Sequence, residues 1–296
     1  AERVGAAFSK DQGNVLPLFA HPSGFGRIAV AFGEDRIYSI PCDMDTDMEY
    51  LFGGLSKIAG TVKTFAMCGL KEYLSYLPDA ESSRSFDVIV AAYLLNPLKS
   101  DYDYTDVARE QLNLLVDEKA DESAKACYEA YTAYASVPLL EKKLEETGMD
   151  RLFSEIEMPL VFTLYDMEQA GVKVEAEALK AYGDQLGTRI VELEKEIYER
   201  AGEEFNINSP VQLGKILFEK LGLPSSKKSK RGYSTSVEVL NKLKDDHKIV
   251  RDVLRCRHYQ KLLSTYIDGF RPHVDPKTGI VHTRYNQVPV SYTHLT

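Results

Sequence analysis

The sequence predicts an α+β protein, with an α/β sheet domain over residues 1–150 followed by a mostly α-helical region. In the first half, short apolar runs bounded by turn residues alternate with helical patterns. From Phe153 onward, apolar residues recur at steps of three and four, which is typical of successive amphipathic helices. Strands combined with helices indicate helices that pack on a sheet.

Three segments of the first half have the pattern of β-strands. Residues 27–32 and 36–40 flank the compact turn Gly33-Glu34-Asp35 and therefore predict a hairpin. Residues 61–66 predict a further strand, and residues 15–19 form another short apolar run.

Helical patterns account for most of the remaining chain. The predicted helices span residues 86–95, 122–146, 159–170, 175–201, 209–221 and 249–270. Ser209-Pro210 is a typical helix start, because the hydroxyl can cap a free N–H and proline needs none there. Thr235-Ser236-Val237-Glu238 has the capping-box pattern of another start, and Pro138 is a candidate break in the second helix.

The composition is that of a soluble globular protein of the cytoplasm, and we expect a monomer. Hydrophobic residues make up 44% and charged residues 27% of the 296 residues. No apolar run approaches the roughly 20 residues that a membrane-spanning helix needs. The four cysteines are far apart, which argues against a zinc site and for reduced thiols. A start at Ala1, with neither Met nor a signal pattern, is expected for a chain cut from a longer one.

The net charge of −9 hides an asymmetry along the chain. Residues 225–284 contain 14 Lys and Arg against 6 Asp and Glu, so that this stretch carries +8 and the remainder −17. A basic region attached to an acidic one is a pattern found in proteins that bind polyanions.

Two features of the basic region could contact phosphate groups, because cations release counterions and hydroxyls donate hydrogen bonds. One is a loop between two helices, with Lys227, Lys228, Lys230, Arg231, Ser234, Thr235 and Ser236. The other is one face of the last helix, with Arg257, Lys261, Ser264 and Thr265 at steps of four, three and one. Each feature alone is also compatible with a solvated surface. Together they favour DNA.

Two acidic clusters could supply carboxylates to a pair of metal ions in a nuclease. They are Asp43, Asp45 and Asp47, and Asp101, Asp103 and Asp106. The first fails as an EF-hand, because Met48 stands where glycine and Gly54 where glutamate is required. We interpret both clusters as solvated loop acids, so that no catalytic or metal-binding residue is predicted.

A set of segments occurs in a characteristic order between residues 156 and 287. They are Ile156–Leu160, Met167–Val174, Ala201–Pro210, Gln212-Leu213, Ile216–Lys220, Leu223-Pro224, Gly232–Ser236, Lys261–Ile267, Val281–Thr283 and Asn286-Gln287. In content and order they resemble the family A DNA polymerases, the bacterial DNA polymerase I group. The resemblance implies that residues 151–288 are the thumb and the start of the palm, and that residues 289–296 are a non-native tail.

The resemblance also implies a function. The thumb grips duplex or primer–template DNA. Its DNA contacts align with the loop from Lys227 to Ser236 and, on the last helix, with Arg257 and Lys261. The family enzyme is a DNA-directed DNA polymerase, a nucleotidyltransferase of DNA replication and repair that uses Mg²⁺. Its polymerase site would lie outside this chain, for which we expect no cofactor.

The segment Phe86–Pro97 more weakly resembles the family's 3′–5′ exonuclease domain, a ribonuclease H-like fold that residues 1–150 would adopt. Active members carry metal-binding carboxylates in three motifs. The corresponding positions hold other residues here, namely Phe19 and His21, Ala66, and Tyr134 and Ser136. The resemblance therefore implies a degenerate domain without nuclease activity.

The chain is thus expected to be a polymerase fragment that binds duplex DNA and does not itself polymerise. Two alternatives stay open. One is a stand-alone, non-catalytic DNA-binding protein. The other is an active 3′–5′ exonuclease that uses unrecognised acids such as Asp101 or Asp103.

Overall fold

The computed structural model describes residues 2–10, 25–43, 45–99, 102–117, 119–224 and 232–288. Two compact units divide the chain: a sheet unit (Ala1–Ala170 with Thr283–Thr296) and a helical unit (Gly171–His282). The predicted boundary at residue 150 differs from this division by 20 residues. The reason is that helix α6 (Met158–Ala170) buries Met158 and Val161 in the core of the sheet unit.

A five-stranded mixed sheet forms the centre of the sheet unit. Its strands, in the spatial order β3-β2-β1-β4-β5, are β1 (Arg3–Lys10), β2 (Phe25–Ala31), β3 (Ile37–Pro41), β4 (Thr64–Met67) and β5 (Ser85–Asp87). β1, β2 and β3 pair antiparallel, whereas β4 joins β1 and β5 joins β4 in parallel. The predicted hairpin is confirmed, and the apolar run 15–19 lies outside the described residues.

Helices cover the sheet. Besides α6 they are α1 (Met48–Thr61), α2 (Val88–Leu95), α3 (Tyr104–Leu112), α4 (Glu122–Thr147) and α5 (Asp150–Leu152), which a π-helical turn (Phe153–Glu157) joins to α6. The predicted helix 86–95 begins two residues later than expected. Phe86 belongs to β5, and the Asp87 carboxylate caps α2 by accepting from the N–H groups of Ile89 and Val90.

Helix α4 runs through Pro138 without a break. Proline has no N–H, so the carbonyl of Tyr134, four residues earlier, lacks its helical donor. Arg3 Nη1 of β1 donates to this carbonyl at 3.2 Å, and the Arg3 guanidinium lies 5.0 Å from the centre of the Tyr134 ring. The candidate break at Pro138 was therefore wrong. Arg3 of β1 supplies the donor that the proline lacks.

The helical unit consists of helices and one short ladder. Its elements are β6 (Val172–Lys173), α7 (Ala176–Ala201), α8 (Pro210–Gly214), α9 (Val237–Asn241), α10 (Lys248–Lys261) and β7 (Ile280–Val281). β6 pairs antiparallel with β7. α8 and α10 continue as π-helical turns, Lys215–Lys220 and Leu262–Asp268.

Apolar stripes on α7 and α10 form the core of this unit. Leu193 and Ile197 of α7 and Val250 and Val253 of α10 belong to one buried cluster. At the edge of the contact, Arg200 Nη1 donates to Oδ2 of the buried Asp252 at 2.8 Å.

Two predicted helix starts have different outcomes. At α8 the prediction is confirmed, because Ser209 accepts from the Gln212 N–H with Pro210 at the first helical position. The capping box at Thr235-Ser236-Val237-Glu238 does not form. α9 begins after Ser236, whose side chain makes no capping hydrogen bond, while Thr235 is buried.

Replacing Gly5 tests how closely β1 and α4 approach. A Cβ added to Gly5 would lie 2.3 Å from the carbonyl oxygen of Ala130 and 2.5 Å from the Tyr134 nitrogen. Gly5→Ala should therefore lower the free energy of unfolding by about 1–3 kcal/mol. In Gly53→Ala, on α1, the new methyl meets nothing within 4 Å. That change should instead raise stability by about 0.5–1 kcal/mol. Urea unfolding of both variants measures the difference, and equal effects would contradict the contact.

Candidate nucleic-acid interface

A polar face lies along the end of α10 and the π-helical turn that follows it. Lys261, Ser264 and Thr265 are exposed there, whereas Val253 and Cys256, one to three turns earlier on α10, are buried. Lys261 and Ser264 line a hollow of about 520 Å³ together with Arg257. The structure thus brings together three of the four residues that the helical spacing predicted, with Thr265 exposed beside Ser264.

The remaining lining of this hollow contains amides as well as apolar groups. It consists of Ile190, Asn208, Gln260, Leu263 and Asp268. Gln260 Nε2 donates to Glu194 Oε1 at 2.9 Å, whereas its Oε1 is buried without a hydrogen-bond partner. Two cations, a hydroxyl and two amides therefore face the same space as one carboxylate, an arrangement that suits a phosphate oxygen. Sequence reasoning did not single out Asn208, although it lies in the Ala201–Pro210 segment.

Arg257 is held by the backbone of two loops. Its Nε and Nη2 donate to the Ile207 carbonyl at 3.2 and 2.9 Å, and Nη1 donates to the Thr235 carbonyl at 2.9 Å. Burial lowers the pKa of the guanidinium from its usual value. Three of its five N–H groups are therefore engaged within the fold, which the prediction of a DNA contact did not anticipate.

The described part of the predicted phosphate-binding loop runs from Gly232 to Ser236. Ser234 and Ser236 are exposed, and the Ser234 hydroxyl lies 3.4 Å from that of Ser236. Thr235 is only 5% exposed, so its hydroxyl does not lie on the surface with its neighbours. The four predicted cations of the loop lie outside the described residues: Lys227, Lys228, Lys230 and Arg231.

The sheet unit contains a second hollow, of about 770 Å³, that gathers acids from distant segments. Asp87, Asp103 and Glu129 line it. The buried Asp87 accepts from four backbone N–H groups, with Leu70 N at 2.7 Å, and Asp103 caps α3. Both carboxylates therefore stabilise the local backbone by accepting its N–H groups.

Glu129 was missed by the sequence prediction. Burial, and secondarily the charge of Asp103, raises its pKa to about 7. The same two acids add to burial in raising the pKa of Tyr104 to about 12. The helical spacing could have identified Glu129. It lies three residues after Ala126 and four before Ala133, and therefore on the face of α4 that these alanines bury.

The predicted loop acids serve the local fold. Asp43 Oδ1 accepts from the Thr46 hydroxyl at 2.8 Å, Asp47 caps α1, and Asp106 pairs with Lys99 at 2.9 Å. Within the described ranges, no three His, Cys, Asp or Glu side chains are grouped so that they could hold a metal ion. Asp101 lies outside those ranges.

The positions expected to have lost the exonuclease carboxylates lie in the sheet and on α4. Ala66 is fully buried in β4, beside Gly5 of β1. On α4, the Ser136 hydroxyl is buried and donates to the Thr132 carbonyl at 2.7 Å, and Tyr134 stacks with Arg3. Phe19 and His21 lie outside the described residues.

No helix of the described chain is long and apolar enough to cross a membrane.

Comparison with known proteins places the helical unit in a class. Residues 176–294 match the model of the DNA polymerase family A. The solved POL domain of Pol1 from M. smegmatis, in complex with DNA primer-template and dNTP, has the same fold with a TM-score of 0.74. The match covers 97% of this chain and 49% of that one at 23% identity. Over residues 176–294 the chain is thus similar to the family A DNA polymerases.

The relatives in sequence are bacterial. DNA polymerase I of Bacillus subtilis (strain 168) is 44% identical over 217 residues, 68% of this chain and 25% of that protein. DNA polymerase I of Geobacillus stearothermophilus is 43% identical over the same shares. Over this length the chain is homologous to bacterial DNA polymerase I, and it spans about a quarter of these relatives.

The raised pKa of Glu129 predicts a pH dependence of stability. Between the usual pKa of 4.5 and the folded value of about 7, the unfolded chain loses a proton that the folded chain keeps. The contribution of Glu129 is therefore fully present below about pH 4.5 and is lost as the pH rises through 7. Urea unfolding from pH 5 to 7.5 should show a shallower decline in Glu129→Gln than in the wild type. Glu145→Gln, exposed on the same helix, is the control, and parallel declines in all three proteins would contradict the assignment.

Proposed function

We propose that this chain is a segment of a family A DNA polymerase, in which the helical unit is the thumb and binds duplex or primer–template DNA. The exposed face of α10 is the observation that carries this proposal. Lys261 and Ser264 line one hollow with Arg257, inside the segment that matches the family model. The basic excess of residues 225–284 favours the same partner.

The binding is sequence-independent. A lysine and exposed hydroxyls in a row contact phosphate oxygens, which fix the position of a duplex without reading its bases. Because each cation that neutralises a phosphate releases counterions, the affinity falls as the salt concentration rises. We expect the chain to act as a monomer in the cytoplasm.

The sheet unit is proposed to be the degenerate 3′–5′ exonuclease-like domain, with a ribonuclease H-like fold. Its mixed sheet, with three antiparallel strands followed by two parallel ones, supports this assignment. At two of the three motifs, the residues are the buried Ala66 and the α4 residues Tyr134 and Ser136. None of these side chains is a carboxylate, so two-metal hydrolysis has no ligands there. The Mg²⁺-dependent polymerase site of the family is proposed to belong to other parts of the parent enzyme.

One observation favours a second candidate function, an active nuclease. Asp103 and Glu129 face one hollow with Asp87. Against it, Asp87 is saturated by four backbone donors and Asp103 caps α3. A stand-alone DNA-binding protein is the third candidate, and it shares the DNA-binding test with the first.

Lys261→Ala tests the DNA contact. Fluorescence anisotropy with a labelled 20-base-pair duplex should show weaker binding, because one phosphate contact is lost. The slope of log affinity against log salt should fall by about one between 50 and 300 mM salt. Replacing the four loop cations, Lys227, Lys228, Lys230 and Arg231, by alanine should reduce the slope further.

The control for this experiment is Lys57→Ala, which removes an exposed cation from α1 of the sheet unit. It should leave both the affinity and the salt slope within error. Equal effects of the Lys57 and Lys261 changes would mean that net charge, and not the α10 face, determines binding. A wild-type affinity that does not depend on salt would contradict phosphate binding altogether.

A primer-trimming assay distinguishes a degenerate exonuclease-like domain from an active nuclease. A 5′-labelled primer–template incubated with the chain and Mg²⁺ should stay at full length on a denaturing gel. Glu129→Gln and Asp103→Asn should give the same result as the wild type. Trimming by the wild type that either change abolishes would establish the nuclease and overturn the degenerate assignment.

A further inference from the structure

The guanidinium of Arg257 joins three separate parts of the helical unit. It belongs to α10, and three of its N–H groups donate to the carbonyls of Ile207, before α8, and of Thr235, before α9. Ile207 is 3% exposed and Thr235 5%. Because a buried carbonyl without a donor is costly, these bonds hold the two loops to α10.

The segment at Thr235 is also held from its other side. A Cβ added to Gly214 of α8 would lie 3.3 Å from Tyr233 Cβ and 3.8 Å from Thr235 Cγ2. The rings of Tyr233 and Phe218 lie 5.1 Å apart. Residues 233–235 therefore lie between α8 and Arg257, with Ser234 and Ser236 exposed on either side of the buried Thr235.

We propose that Arg257 is a positioning residue, which fixes Ser234 and Ser236 relative to Lys261 and Ser264 and so shapes the DNA-binding surface. This inference rests on the proposed DNA binding, which it deepens. It replaces the direct phosphate contact predicted for Arg257. The guanidinium of Arg257 donates to two carbonyls, whereas Lys261, one helical turn further along, is exposed.

Arg257→Lys separates the two roles, because it keeps the positive charge and cannot hold two carbonyls with a planar fork. If Arg257 positions the segment, the affinity for a 20-base-pair duplex should fall by roughly tenfold, the equivalent of one charge-assisted hydrogen bond. The salt slope should stay that of the wild type. Lys261→Ala, in contrast, should lower the slope by about one.

A double-mutant cycle gives the second readout. In the double variant Ser234→Ala with Ser236→Ala, the segment that Arg257 positions has lost its two exposed hydroxyls. Adding Arg257→Lys should then cost clearly less affinity than it does in the wild type. A loss that is fully additive, or wild-type affinity in Arg257→Lys, would overturn the proposal.

Gly214→Ala provides a variant without any change of charge or of a polar group. It presses on Tyr233 from the side of α8 while adding helix propensity. It should weaken DNA binding in the same direction as Arg257→Lys, again without a change in salt slope, whereas Gly187→Ala, which meets nothing within 4 Å on α7, should not. Unchanged affinity in Gly214→Ala would count against positioning.

Limited trypsin digestion tests positioning without DNA. Mass spectrometry of the full chain should show faster cleavage within Lys227–Arg231 in Arg257→Lys than in Lys261→Ala or the wild type, because the segment that follows has lost its anchor. Equal rates would overturn the positioning role even if DNA binds. Faster cleavage together with no DNA binding by the wild type would retain the anchor and reject the proposed function.

Discussion

Two buried carbonyls in the helical unit depend on a single side chain. Ile207 lies before α8 and Thr235 before α9, and Arg257 donates to both carbonyls. The start of α8, the start of α9 and the end of α10 are thereby tied at one point. The α7–α10 core fixes the helix on which Arg257 stands. The exposed Ser234 and Ser236 lie on either side of Thr235, whose carbonyl accepts one of these bonds.

The sheet unit is governed by a different constraint, which is the size of side chains between β1 and α4. Ala7, Ala29 and Ala31 of the sheet pack with Ala126 and Ala130 of the helix, and Gly5 leaves no space for a Cβ. Helix and sheet approach closely, and Ala66 and Ser136, at two of the expected carboxylate positions, are fully buried. Glu129 is the exception, since it faces a hollow instead of the sheet, and its raised pKa records the burial that this requires.

Local chemistry predicted much of this fold. The turn Gly33-Glu34-Asp35 located the hairpin, and Ser209-Pro210 located α8, because both patterns act within a few residues. Features that depend on distant partners were not predictable in the same way. The Tyr134 carbonyl, which Pro138 leaves without a helical donor, accepts from the distant Arg3. Where a capping box was expected, the Thr235 carbonyl accepts from Arg257. The α10 spacing found Lys261 and Ser264, but no periodicity reveals that Arg257 binds carbonyls or that Asp103 and Glu129 meet.

The bond from Arg3 to Tyr134 has a consequence for the order in which the chain folds. It joins residues 131 positions apart, and β1 pairs with β4 far along the chain as well. During synthesis at about 5–20 residues per second, β1 would wait on the order of ten seconds for α4 to emerge. Contacts of such long range slow folding. Until β4 emerges, the edge of β1 that does not pair with β2 therefore stays open to mispairing.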